Sequence, residues 1–156
     1  MIRTSQAFAA RREVIILGLQ QALSEDLVPH FNAECFDIRK KYDETIEFTK
    51  DMEDGPAKTK LIELAESNRK ARIFDLNLRK RQFIDGLNVD MKMQCKSWLN
   101  DYKGEEFEER EPLKSGATHR DGNPRMRTVL KAKFPDGSQA KIPQQLYIDP
   151  RLFDRV

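Results

Sequence analysis

The sequence predicts a mainly α-helical protein. Residues 1–103 read as a long, kinked antiparallel helical hairpin of coiled-coil character, and residues 104–156 as a small C-terminal β-hairpin module. Three observations predict this. Apolar residues recur at helical spacing through most of the first hundred positions. A Gly55-Pro56 turn divides that stretch into two arms of nearly equal length. At Gly104 the composition shifts to charge runs, turn residues and a strand-like alternation.

The first arm opens at Thr4 or Ser5, either of which can cap a helix, and carries a stripe of Phe8, Ile15, Leu19, Ala22 and Leu23. Ser24-Glu25-Asp26 and Pro29 are expected to interrupt it, because proline disfavours the α conformation in the residue before it. The stripe resumes with Phe31, Cys35, Ile38, Tyr42, Ile46, Thr49 and Met52. The loop at Gly55 is short, so its flanking helices should run antiparallel.

The second arm contains an ambiguity. Leu87, Val89, Met91, Met93 and Cys95 alternate with Asn88, Asp90, Lys92 and Gln94, as in a half-buried strand. Stepped at helical spacing, however, Ile73, Leu76, Phe83, Ile84, Leu87, Met91, Cys95, Trp98 and Tyr102 fall within about 120° of one another. Asn88 and Asp90 are poor strand formers, and Gly86 costs a helix only about 1 kcal/mol. Helix is the better reading. Two arms of about fifty residues each would make a hairpin roughly 70 Å long. In that register Ser24–Pro29 faces Arg81–Gly86, which predicts a shared joint there.

In the C-terminal region "GEEFEERE" reads as a last helical turn or an acidic linker, and the Pro, Gly and Asn content that follows reads as a loop. Leu130, Ala132 and Phe134 alternate with Lys131 and Lys133, Pro135-Asp136-Gly137 supplies turn chemistry, and Ala140 and Ile142 answer from the second strand. Two strands alone are marginal in water, so this hairpin must lean on the helices or on a neighbour.

Charged residues make up 35% of the 156, above the usual ~25%, which suits two-sided helices better than a deep core. The net charge of +2 points to neither nucleic acid nor membrane for the chain as a whole. Val14–Leu19 is the longest apolar run and is far short of the ~20 residues a span needs, and no signal peptide is expected. Two cysteines without paired spacing suggest a reducing, cytoplasmic setting, or a virus particle assembled there.

His30, His119, Cys35 and Cys95 show no metal-ligand or nucleophile spacing, so no enzyme activity, cofactor, metal or small-molecule substrate is expected. Four other features are candidates for binding. The basic 113–143 segment holds seven Lys/Arg against Asp121 and Asp136. Its Lys114, Arg120, Arg125, Arg127, Lys131 and Lys133 could track phosphates, or could simply answer the acidic run before them. The hairpin tip, with Asp43, Glu44, Glu47, Asp51, Glu53 and Asp54 against Lys50, is either a probe or a solvated turn. Phe36, Phe48, Phe74, Leu78, Val89 and Met93 fall off the main stripes and need covering. Leu146, Tyr147, Ile148, Leu152 and Phe153 make an apolar tail that wants a docking groove, on this chain or a neighbour.

These features together predict a non-enzymatic structural or protein-interaction component of a multi-subunit assembly, a bacteriophage particle being one such assembly. Its partner-binding residues would be Leu146, Tyr147, Ile148, Leu152, Phe153, Val89 and Met93. The alternative is a regulator associated with nucleic acid or the transcription machinery, acting through the basic segment or the acidic tip.

Overall fold

The structure, a computed structural model, describes residues 2–155. Most of that chain is helical, and the remainder contains a small three-stranded antiparallel sheet. In chain order the elements are α1 (Thr4–Ala22), a π-helical turn (Leu23–Leu27), α2 (Val28–Lys50), α3 (Pro56–Asp101), β1 (Glu105–Pro112), β2 (Met126–Lys133), β3 (Gln139–Lys141) and a 3-10 turn (Pro150–Leu152).

The ambiguous stretch is helical, because α3 runs through it without a break. Met91, Cys95 and Leu99, spaced four apart, are its buried face, whereas Val89 and Met93, which a strand would have put on the same face as Met91 and Cys95, are exposed. The expected interruption at Ser24–Pro29 is a π-helical turn between α1 and α2, not a break in the helical path. There the chain widens by one residue, so that the Val28 N–H donates to the Leu23 carbonyl. Pro29 then falls in the first turn of α2, where its missing N–H costs little.

The chain forms two compact units. One comprises the chain up to Leu19 together with Leu87–Leu146, and the other comprises Gln20–Gly86 and the chain from Tyr147. Each draws on both the helical and the C-terminal region.

In the first unit, β2 is central, paired antiparallel to β1 from Glu105↔Lys133 to Pro112↔Met126 and to β3 through Lys131↔Lys141. Its core joins Phe8, Met91, Cys95 and Leu99 of the helices to Ala132, Phe134, Ile142 and Leu146. Phe8 lies 5.5 Å from Phe134 and 6.5 Å edge-on from Tyr102, centroid to centroid. Burying one such side chain is worth roughly 1.5–3 kcal/mol. This helical backing covers the apolar face of a sheet whose third strand is only three residues long.

Two sequence readings are corrected here. The acidic run is neither a helical turn nor a linker. It is β1, an edge strand whose low strand propensity is offset by ion pairs to β2 and β3. The α1 cap comes from neither Thr4 nor Ser5. Their backbone N–H groups are satisfied by Asp136 and Ser138 of the β2–β3 turn, brought there by the fold.

In the second unit, Phe31, Cys35, Ile38 and Leu76 form the core, with Leu27, Ile73 and Phe153 packed against it. The Arg79 guanidinium grips the Glu34 carboxylate with two nitrogens and also reaches Asp75 at 2.9 Å. Arg69 stacks over the Tyr42 ring at 4.8 Å. Phe83, expected on the buried stripe, is mostly exposed and meets Phe31 in a T-shaped arrangement, 6.3 Å centroid to centroid.

Candidate interaction surfaces

Among the described residues, no group of three or more His, Cys, Asp or Glu side chains could hold a metal ion. Cys95 lies in the core of the first unit and Cys35 in that of the second, both as free thiols. Burial pushes the pKa of each thiol up, which leaves both weak nucleophiles.

The basic segment splits in two. In its strand half, Arg127, Lys131 and Lys141 are neutralised by β1. Arg127 donates to Glu111 at 2.7 Å, Lys141 reaches the same carboxylate at 3.2 Å, and Lys131 pairs with Glu109. Hydrogen bonds from Arg127, then Lys141, hold the Glu111 carboxyl below its usual range. Phe107 and Val129 lie half-buried on this outer face among the ion pairs. The face is thus a mixed-charge lattice.

The other half is the 113–125 loop, folded by Leu113 N–H donating to the Arg125 carbonyl and by Arg125 N–H donating to the Ala117 carbonyl. Lys114, Arg120 and Arg125 project from it exposed, and Lys133 is exposed at the end of β2. No ion pair forms at these four among the described residues.

The acidic tip is partly answered locally. Glu47 pairs with Lys50 at 2.9 Å and Asp54 with Lys58 at 3.1 Å. The off-stripe apolar side chains, by contrast, find no cover. Val89 and Met93 stay exposed in the first unit, as do Phe36, Phe48, Phe74 and Leu78 in the second. Val14 and Leu17 join them on α1, on the face opposite Phe8.

The predicted docking tail divides. Leu146 is buried in the first unit's core, its N–H donating to the Asn88 side chain at 2.8 Å. In the second unit Phe153 packs against Phe31 in a T-shaped arrangement, with the Lys80 ammonium 4.6 Å from its ring centre. Tyr147 and Leu152 are exposed, and Ile148 is half-buried.

Three side-chain amides that sequence reasoning passed over hold the tail's backbone. Besides Asn88, Gln20 donates to the Tyr147 carbonyl at 2.7 Å. Asn32 donates to the Leu152 carbonyl at 3.0 Å and accepts the Asp154 N–H at 2.8 Å. The available signal was position. Asn32 and Asn88 each sit three residues before a buried residue of the helix stripe, Cys35 and Met91, where a poor helix former needs a reason.

Compared with models of known protein families, with curated protein sequences and with solved structures, the chain matches none of them. No described helix is long and apolar enough to cross a membrane.

Proposed function

We propose that this protein is a non-enzymatic structural component of a multi-subunit assembly, working through protein–protein contacts that include self-association. The observation that carries the reading is the amount of large apolar surface left on the helices. Val14, Met93, Phe48 and Phe74 are each more than 60% exposed. Single exposed apolar residues are ordinary, but recurrent ones on helix faces opposite a core mark surfaces that a partner covers.

The geometry fits a scaffold of antiparallel, coiled-coil-like helix pairs. Glu34 meets Arg79 and Tyr42 meets Arg69 in the second unit, while Arg11 meets Asp101 and Phe8 meets Tyr102 in the first. Within each unit the partners' numbers add to a nearly constant sum, 111–113 in the second and 110–112 in the first, as the rungs of an antiparallel helix pair do. Sedimentation velocity on the purified chain tests the reading, with a defined oligomer expected. A monomer at every accessible concentration would contradict self-association.

A second reading has one observation in its favour: Lys114, Arg120, Arg125 and Lys133 are exposed cations without ion-pair partners among the described residues. It assigns the 113–125 loop to phosphate contact in a nucleic-acid-associated regulator. Replacing Arg120 and Arg125 by Gln should then weaken binding to duplex DNA or RNA and lower its salt dependence. The ion pairing of Arg127 and Lys131 leaves this the weaker reading.

A further inference from the structure

The chain from Tyr147 belongs to the second unit, and the α2–α3 surface receives it as a groove receives a peptide. Apart from the 3-10 turn at Pro150–Leu152, the segment has no secondary structure of its own. Its attachments are few and mostly directed at backbone. They are the Gln20 amide, the two-way Asn32 amide, the Cys35 thiol at 3.6 Å from the Asp154 carbonyl, and the Phe153 ring. Such a set reads an extended segment with one aromatic anchor. It does not depend on that segment being covalently continuous with the groove.

The seat is loosely filled. A cavity of about 330 Å³ remains between the segment and the helices, lined by Phe31, Asn77 and Lys80 on one side and Phe153 on the other. Tyr147 is 73% exposed, so one of the segment's large rings is left in water. Pro150 lies within it and keeps Asp149 extended (φ −76°, ψ 113°), which suits a segment that reaches outward.

We propose that this groove is an exchange site, and that its occupant in the assembly is the Tyr147–Arg155 segment of a second copy. The inference rests on the assembly reading and names the junction. Exchange keeps every bond made within one chain, since each copy carries an identical groove and an identical segment. It needs no new chemistry and adds the burial of side chains such as Tyr147 against the neighbour. Swapping an identical element is a low-cost route to association.

Complementation between two variants tests this. Phe153→Ala damages the segment and leaves the groove intact, whereas Asn32→Ala damages the groove and leaves the segment intact. Loss of an anchoring aromatic weakens association by at least about thirtyfold. By sedimentation velocity the wild type should form oligomers and each variant alone should be a monomer. An equimolar mixture should recover a dimer through its one intact groove-and-segment pair.

If neither variant alters the wild-type oligomer, or if both abolish it and mixing restores nothing, exchange is overturned while the assembly reading stands. A monomeric wild type overturns both. Circular dichroism on each variant separates lost association from lost folding, because a mixture of unfolded chains cannot recover the dimer.

Discussion

The Asp136 carboxylate, in the turn between β2 and β3, accepts the backbone N–H of Thr4 at 2.7 Å across 132 positions of sequence. The neighbouring Ser138 hydroxyl donates to Asp136 and accepts the Ser5 N–H at 3.1 Å, while the Gln6 side chain accepts the Arg3 N–H at 3.0 Å. One hairpin turn thus caps α1, placing a negative charge at the positive end of the helix dipole.

This arrangement predicts an acid-sensitive cap. Bonds from the Ser138 hydroxyl and then the Thr4 and Ser138 N–H groups hold the Asp136 carboxyl far below the usual carboxylate range. A pKa lowered on folding contributes stability that is present above the unfolded value, about 3.9, and is lost as pH falls toward the folded one. Asp136→Asn should lower the melting temperature at neutral pH and flatten its decline below about pH 4. Glu34 and Glu111 are also held low by arginine, so a shallower acid decline should persist in the variant. Thermal melts across pH 2–7 read both effects, and parallel curves for the two proteins would contradict the cap.

The end of α3 makes a second prediction. Lys103 has φ 55°, a left-handed conformation, and two bonds close the helix over it: Lys103 N–H to the Asn100 carbonyl and Gly104 N–H to the Leu99 carbonyl. The helix therefore ends with lysine where glycine is favoured. A Cβ on Gly104 would come within 2.9 Å of both Leu99 and the buried Phe134 ring. Lys103→Gly should stabilise by roughly 1 kcal/mol, and Gly104→Ala should destabilise by roughly 1–3 kcal/mol. Urea denaturation of the two variants should therefore move in opposite directions.

What was legible in the sequence followed from periodicity. The stripe from Ile73 to Tyr102, with Met91 and Cys95 in it, decided helix over strand, Gly55-Pro56 fixed the turn before α3, and Leu130, Ala132, Phe134 and Ile142 marked the inward face of a β-hairpin. Features that depend on partners distant in sequence were not legible. "GEEFEERE" has no strand propensity by itself and becomes β1 because Arg127, Lys131 and Lys141 lie beside it. Thr4 and Ser5 looked like caps because local chemistry allows it, but a turn more than a hundred residues away supplies the oxygens. Of the tail, five apolar residues suggested a docked segment. The amides that hold it looked like ordinary helix-surface polar residues.

Asn88 allows a direct measurement of one such amide. It is 8% exposed, and its side-chain oxygen accepts the buried Leu146 N–H. Asn88→Leu suits the apolar surroundings but leaves that N–H without an acceptor, at a cost of roughly 1–3 kcal/mol. The expected result is a lower denaturation midpoint with faster hydrogen exchange at the Leu146 amide. A gain in stability would mean that apolar packing at this position outweighs the hydrogen bond.

Gly86 poses the opposite case, a residue whose side chain is missing with no packing reason. It lies inside α3, and no atom outside the helix backbone comes within 4 Å of where its Cβ would stand. The boundary between the two compact units crosses α3 immediately after it. A glycine in mid-helix costs roughly 0.5–1 kcal/mol relative to alanine, through the backbone freedom it retains when unfolded. Gly86→Ala should therefore raise stability by about that amount and slow hydrogen exchange of the amides over residues 84–90. If stability rises without slower exchange there, the gain lies in the unfolded chain alone and Gly86 is not a point of local opening. If both change, the glycine keeps α3 weakest where one unit ends and the next begins.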